Sequence, residues 1–154
     1  MATTNFDAVQ AAALAGTLTG DVTGNVTGNV TGNVTGQVNY TTVARTATAD
    51  GTGTGTIAAA GKLQFVTVTS DDANKIVILP APTPGTIVIL ANGATGYELR
   101  SSAPATVAIN GGSGANAESA IAAATLVIAV CTSATTWQAI GLAGTTLAAV
   151  EAAA

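Results

Sequence analysis

Very few side chains in this sequence could carry chemistry, and their spacing narrows the choice further. Histidine is absent, which removes the commonest general base, His-based triads and most transition-metal sites. Cys131, the single cysteine, would need a base beside it to act as a nucleophile. It stands instead at the end of the apolar run Ala124–Cys131, where a small buried thiol is expected. One thiol also supplies neither an intrachain disulfide nor a zinc or iron–sulfur ligand set. Asp71-Asp72 is the only adjacent carboxylate pair. Such a pair could hold a cation or share acid–base work, but SDDAN reads as a turn in which aspartate bonds its own backbone, and no EF-hand spacing surrounds it.

Two glycine-rich stretches imitate phosphate-binding loops. Gly55 to Leu63 places one residue too many between its glycines, and Leu63 stands where a Ser or Thr would hold magnesium. Gly112 to Ala117 fits GxGxxA after a short strand. However, only one or two helical turns are expected over Ala117–Ala124, and no acidic residue follows the next strand to bind a ribose. Both stretches read as loops. Asn25, Asn29, Asn33 and Asn39 match the N-x-T glycosylation pattern, as a by-product of a repeat. Trp137 and Tyr97 could present rings to a sugar, although a single Trp on an alternating strand is more usually core. No cofactor or metal is implied, and no enzymatic activity is expected.

The composition excludes other classes. Only 8 % of residues are charged and 3 % aromatic, with a net charge of −4, against roughly 25 % charged in an ordinary soluble domain. Arg45, Lys62, Lys75 and Arg100 are scattered, so there is no basic stripe and no aromatic platform for nucleic acid. No membrane partner is expected: Ile121–Cys131 is about half of the ~20 residues that a spanning helix needs, and no signal peptide is read at the N-terminus. A chain with so few charges is expected to have much of its surface covered by other chains.

The elements fall into four stretches. Residues 1–16 form a short arm whose sizeable apolar residues are Phe6, Val9 and Leu14. Residues 17–38 carry a four-residue repeat, LTGD, VTGN three times and VTGQ, with Leu18, Val22, Val26, Val30, Val34 and Val38 at the recurring apolar position. In an extended strand one face then alternates Val and Gly, the other Thr and Asn. A glycine at each fourth residue costs a helix roughly 1 kcal/mol apiece. A lone strand of this kind cannot bury its valines, so identical strands winding about a common axis are expected, as a stalk up to ~65 Å long. Residues 39–147 alternate short apolar runs with turn signals. Strands are expected over Leu63–Thr69, Lys75–Leu79, Thr86–Ala91, Tyr97–Ser101, Thr106–Ile109, Thr125–Cys131 and Thr136–Leu142. The fold class is all-β: an extended repeat stalk followed by a small β-sandwich or jelly-roll-like domain. Asn92-Gly93 signals a tight turn. Residues 148–154 read as a C-terminal tail.

The run NFDAVQAAALAG followed by LTGDVTGNVTGNVTGNVTGQV resembles the opening of bacteriophage structural proteins. KIVILPAPTPGTIVILANGATGYELRSSAPATVAINGGSG is similar to the small β-domains of phage head decoration and fibre proteins. The resemblance implies a homotrimer docked on the major capsid protein through the arm, with the β-domain projecting outward, in a virion assembled in the host cytoplasm. It also leaves open a tail-fibre or adaptor role, contacting host glycan through the Trp137 or Tyr97 region. The short chain with few aromatics favours the head.

Overall fold

Alternation of apolar residues with Thr, Ala and Gly makes strands the dominant regular element of the described residues. The computed structural model describes residues 40, 42–143, 146–148 and 150–154. The arm residues Phe6, Val9 and Leu14 and the repeat positions Leu18 to Val38 lie outside the described residues. All the described residues belong to one compact unit, Gln37–Ala154.

The elements are β1 (Thr42–Thr46), a 3-10 turn (Gly53–Gly55), β2 (Leu63–Thr69), β3 (Ile76–Ile78), β4 (Ile87–Asn92) and β5 (Tyr97–Arg100). There follow β6 (Ala108–Ile109), β7 (Glu118–Ile121), β8 (Thr125–Ser133), β9 (Thr136–Ala143) and β10 (Thr146–Ala148). The described residues contain no α-helix. A seven-stranded sheet runs β1-β2-β4-β8-β9-β10, with β6 also on β9; a three-stranded sheet runs β3-β5-β7.

The pairing is mixed. From β2 to β5 the chain alternates between the sheets, and β1 is joined to β2 through the segment that holds the 3-10 turn; the strands that meet in one sheet here are parallel: β1 with β2, β2 with β4, and β3 with β5. Thr42 stands beside Phe65, Leu63 beside Ile87 and Ile76 beside Glu98, one circuit taking roughly 23 residues. Parallel neighbours need a long crossover; from β2 to β4 and from β3 to β5 it is itself a strand of the opposite sheet, whereas the segment from β1 to β2 meets β3 only by isolated bridges at Thr48 and Thr56. The proline-rich stretch around Pro80, Pro82 and Pro84 cannot extend β3 and turns the chain back into β4. The later pairings are antiparallel, β5 with β7, β4 with β8, β8 with β9 as a hairpin, and β9 with β10, except that β6 lies parallel to β9. Asn92-Gly93 marks a corner between sheets rather than a hairpin. The Asn92 carboxamide is engaged there, donating to the Thr95 and Ala122 carbonyls and accepting from Thr125 N–H at 2.8 Å.

The sheets share one core. Val66, Val88, Leu90, Val127 and Trp137 from the large sheet meet Val77, Leu79, Tyr97, Leu99 and Ile121 on the inner side of the small one. Each such side chain contributes about 1.5–3 kcal/mol on burial. Two segments depart from expectation. Ala117–Ala124 holds a strand, not helical turns, because Glu118–Ile121 pairs antiparallel with β5. The stretch expected as a tail is docked: Ala153 is buried, and Ala154 exchanges backbone hydrogen bonds with Glu118. Gly112 permits this docking, since a Cβ there would collide with the Ala153 backbone.

Candidate functional site

The charges of the described residues are segregated. Glu98, Arg100 and Glu118 stand on the outer face of the small sheet, where Arg100 and Glu118 are register partners and form an ion pair. Asp71 pairs with Lys75 at 2.6 Å in the turn between β2 and β3. Arg45 is at an inward-facing position of β1, opposite Val68. The outward positions of β1, β2, β4, β8 and β9 carry no charge at all.

These outward positions line up in rows across the large sheet. One row runs Thr42, Phe65, Ile89, Ile128, Ile140, each beside the next by strand register. A second runs Leu63, Ile87, Val130, Gln138, and a third Ala44, Thr67, Ala91, Leu126, Leu142. Ile140 is 53 % exposed and Leu126 36 %, while Ile87, Ile89 and Ile128 are half-buried by their neighbours. Tyr40, also exposed, sets its ring 5.6 Å from that of Phe65 at the rim of this face. The middle of the sheet is therefore apolar on both sides. Strands with that pattern are normally covered on both sides, and a contiguous exposed apolar patch marks an interaction surface.

Among the described residues, the chemistry-bearing side chains are not gathered into a centre. The Asp72 carboxylate accepts from the N–H and Nδ2 of Asn74 at 2.9 and 3.0 Å, the turn expected of SDDAN. The Cys131 thiol is buried, bonds the Ser133 carbonyl at 3.1 Å, and is pushed up in pKa by that burial. No group of three or more His, Cys, Asp or Glu that could hold a metal occurs among the described residues. The amides of Gly112, Gly114 and Ala117 donate to the carbonyls of Ile109, Pro104 and Gly114, so they are not free to cradle a phosphate. A cleft of about 270 Å³ opens beside Lys62, Gln64 and Thr86. Lys62 Nζ donates to the Pro84 carbonyl at 2.8 Å, and no carboxylate lines the cleft.

The Trp137 and Tyr97 region needs correction. Trp137 is 0 % exposed and Tyr97 1 %, because both occupy inward positions of their strands, so neither ring offers a face to a sugar. The apolar outer face was not identified from sequence, although a signal existed: IVIL in β4 and LVIAV in β8 are apolar at odd and even positions alike. Comparison with protein-family models, with curated proteins and with solved structures gives no match to this chain.

Proposed function

We propose that this chain is a virion structural protein, a capsid decoration protein of the cement or head-fibre kind, that self-associates as a homotrimer. The observation that carries the reading is the uncharged, aliphatic outer face of the large sheet, which suits a chain covered by other protein. The scarcity of charge and the resemblance of the arm, the repeat and the KIVILPAP stretch to phage structural proteins add to it. In this reading Leu18, Val22, Val26, Val30, Val34 and Val38 form the axis of a β-stalk that leads into a sandwich-like domain. Phe6, Val9 and Leu14 anchor the arm to the major capsid protein.

The test separates anchoring from folding. Deleting Met1–Gly16 should abolish co-sedimentation with capsids while the circular dichroism of the β-domain is retained. Retained capsid binding overturns the anchoring assignment. Replacing Val26, Val30 and Val34 together by Asp should place like charges on the stalk axis and reduce the oligomer mass in light scattering. An unchanged mass overturns the stalk.

A further inference from the structure

We propose that the outward face of the large sheet is a contact between copies of this chain, with the Ile128–Ile140 pair at its centre. The inference rests on the self-association reading and names a surface for it that the repeat does not supply.

The apolar pattern sets the requirement. β4 and β8 are central strands of the large sheet, and the small sheet covers only their inner side. Their outward residues Ile87, Ile89, Leu126, Ile128 and Val130 gain nothing from the core of their own chain. A strand needs only one apolar face to fold against one partner layer, so the second calls for a second layer. The rows from β1 to β9 cross four strand spacings of about 4.8 Å and run a similar distance along the strands. That is on the order of 400 Å², within the range for a monomer's largest patch, which is often functional, and about half of what one partner contributes to a standard interface.

Charge and chain continuity identify the occupant. An interface with a charged partner calls for a complementary potential, and this face has no charged position to provide one. Its own copy is complementary without any charge pairing, and two such faces meet without repulsion. Tyr40 packs on Phe65 at the edge of the first row, and the last repeat valine, Val38, precedes Tyr40 by only two positions in the sequence. For a chain that self-associates through the repeat, this short separation in sequence makes a further copy the occupant at hand.

Two measurements on the full chain test this. In light scattering Ile140→Glu should lower the oligomer mass, whereas Ala120→Glu, an exposed outward position of the small sheet, should not; far-UV circular dichroism checks that both are folded. In thiol labelling, Ile140→Cys should react at least tenfold more slowly than Ala120→Cys. Full mass for Ile140→Glu together with equal labelling rates overturns the sheet contact while leaving self-association through the repeat intact. A monomeric wild-type chain overturns both. A monomer in which Ile140→Cys is nonetheless protected gives the face to residues 1–39 of the same chain, and that also overturns the proposal.

Discussion

Asn110 engages both backbone polar groups of Ala139: its Nδ2 donates to the Ala139 carbonyl at 2.9 Å, and its Oδ1 accepts from the Ala139 N–H at 2.8 Å. The same Nδ2 donates to the Val150 carbonyl at 2.6 Å. One carboxamide thus ties the turn after β6 to β9 and to the C-terminal segment.

Asn110→Ala is expected to destabilise the domain by about 2–4 kcal/mol, because it removes three hydrogen bonds and leaves main-chain groups without partners. The residue has φ +51°, a left-handed conformation that Asn adopts at lower cost than Ala. Asn110→Gly should therefore be less damaging than Asn110→Ala by about 1 kcal/mol, although it loses the same bonds. Urea denaturation midpoints of the three proteins check the order. Equal midpoints for wild type and Asn110→Gly would show that the carboxamide contributes nothing.

Much of this arrangement was legible as strands but not as pairing. The seven expected strands appear because each is a short run of apolar and β-branched residues bounded by turn signals. β7 escaped because ESAIAAA has strong helix formers, whose preference is overridden by pairing with β5 and by the Ser119 hydroxyl donating to the Glu151 carbonyl. β1 escaped because TVART places an arginine at an inward position, a device that protects edge strands and breaks the apolar alternation. The parallel circuits were hidden for another reason. Successive circuits repeat only the alternation, not the residues, and their connecting loops differ in length. The candidate surface lay in plain view in IVIL and LVIAV, yet a run apolar on both parities reads simply as core until the sheet shows which layer is missing.

Arg100 and Glu118 face each other directly across β5 and β7 and are both largely shielded from solvent. Directly opposed charges on neighbouring strands contribute roughly 0.2–1 kcal/mol. A double-mutant cycle with Arg100→Gln and Glu118→Gln should give a coupling energy of about 1 kcal/mol that shrinks only partly in 0.5 M salt. A coupling indistinguishable from zero would mean that the pair has no energetic role.

Glu98 shares that outer face, and partial burial raises its pKa above the ordinary 4.5. The folded carboxyl then keeps its proton to higher pH than the unfolded one. In the window starting near pH 4.5 the folded state binds more protons, so stability falls as pH rises. Asp50 and Asp71 act in the opposite sense, held below 3.8 by hydrogen bonds to Thr52 and by Lys75 respectively. Their contribution is lost only as pH falls below 3.8. The melting temperature should accordingly decline from pH 4.5 toward neutrality and also on strong acidification. Glu98→Gln should flatten the first decline and leave the second; calorimetry across pH 3–7 decides, and an unchanged slope above pH 4.5 would remove Glu98 as its cause.

The Cys131 thiol lies in the core on the inner face of β8, 1 % exposed, and its pKa is raised by burial. Only the thiolate reacts with disulfide reagents, and a raised pKa lowers its fraction at any given pH. Native protein at pH 8 should therefore label with an aromatic disulfide far more slowly than protein in 6 M urea, by a factor of at least about a hundred if reaction requires opening of the core. Substitution distinguishes burial from chemistry. Cys131→Ala removes a small apolar side chain and should cost about 1–2 kcal/mol. Rapid labelling of the native protein would show that the β4–β8–β9 layer opens locally, and would place the weakest part of the fold beneath the face proposed to hold the copies together.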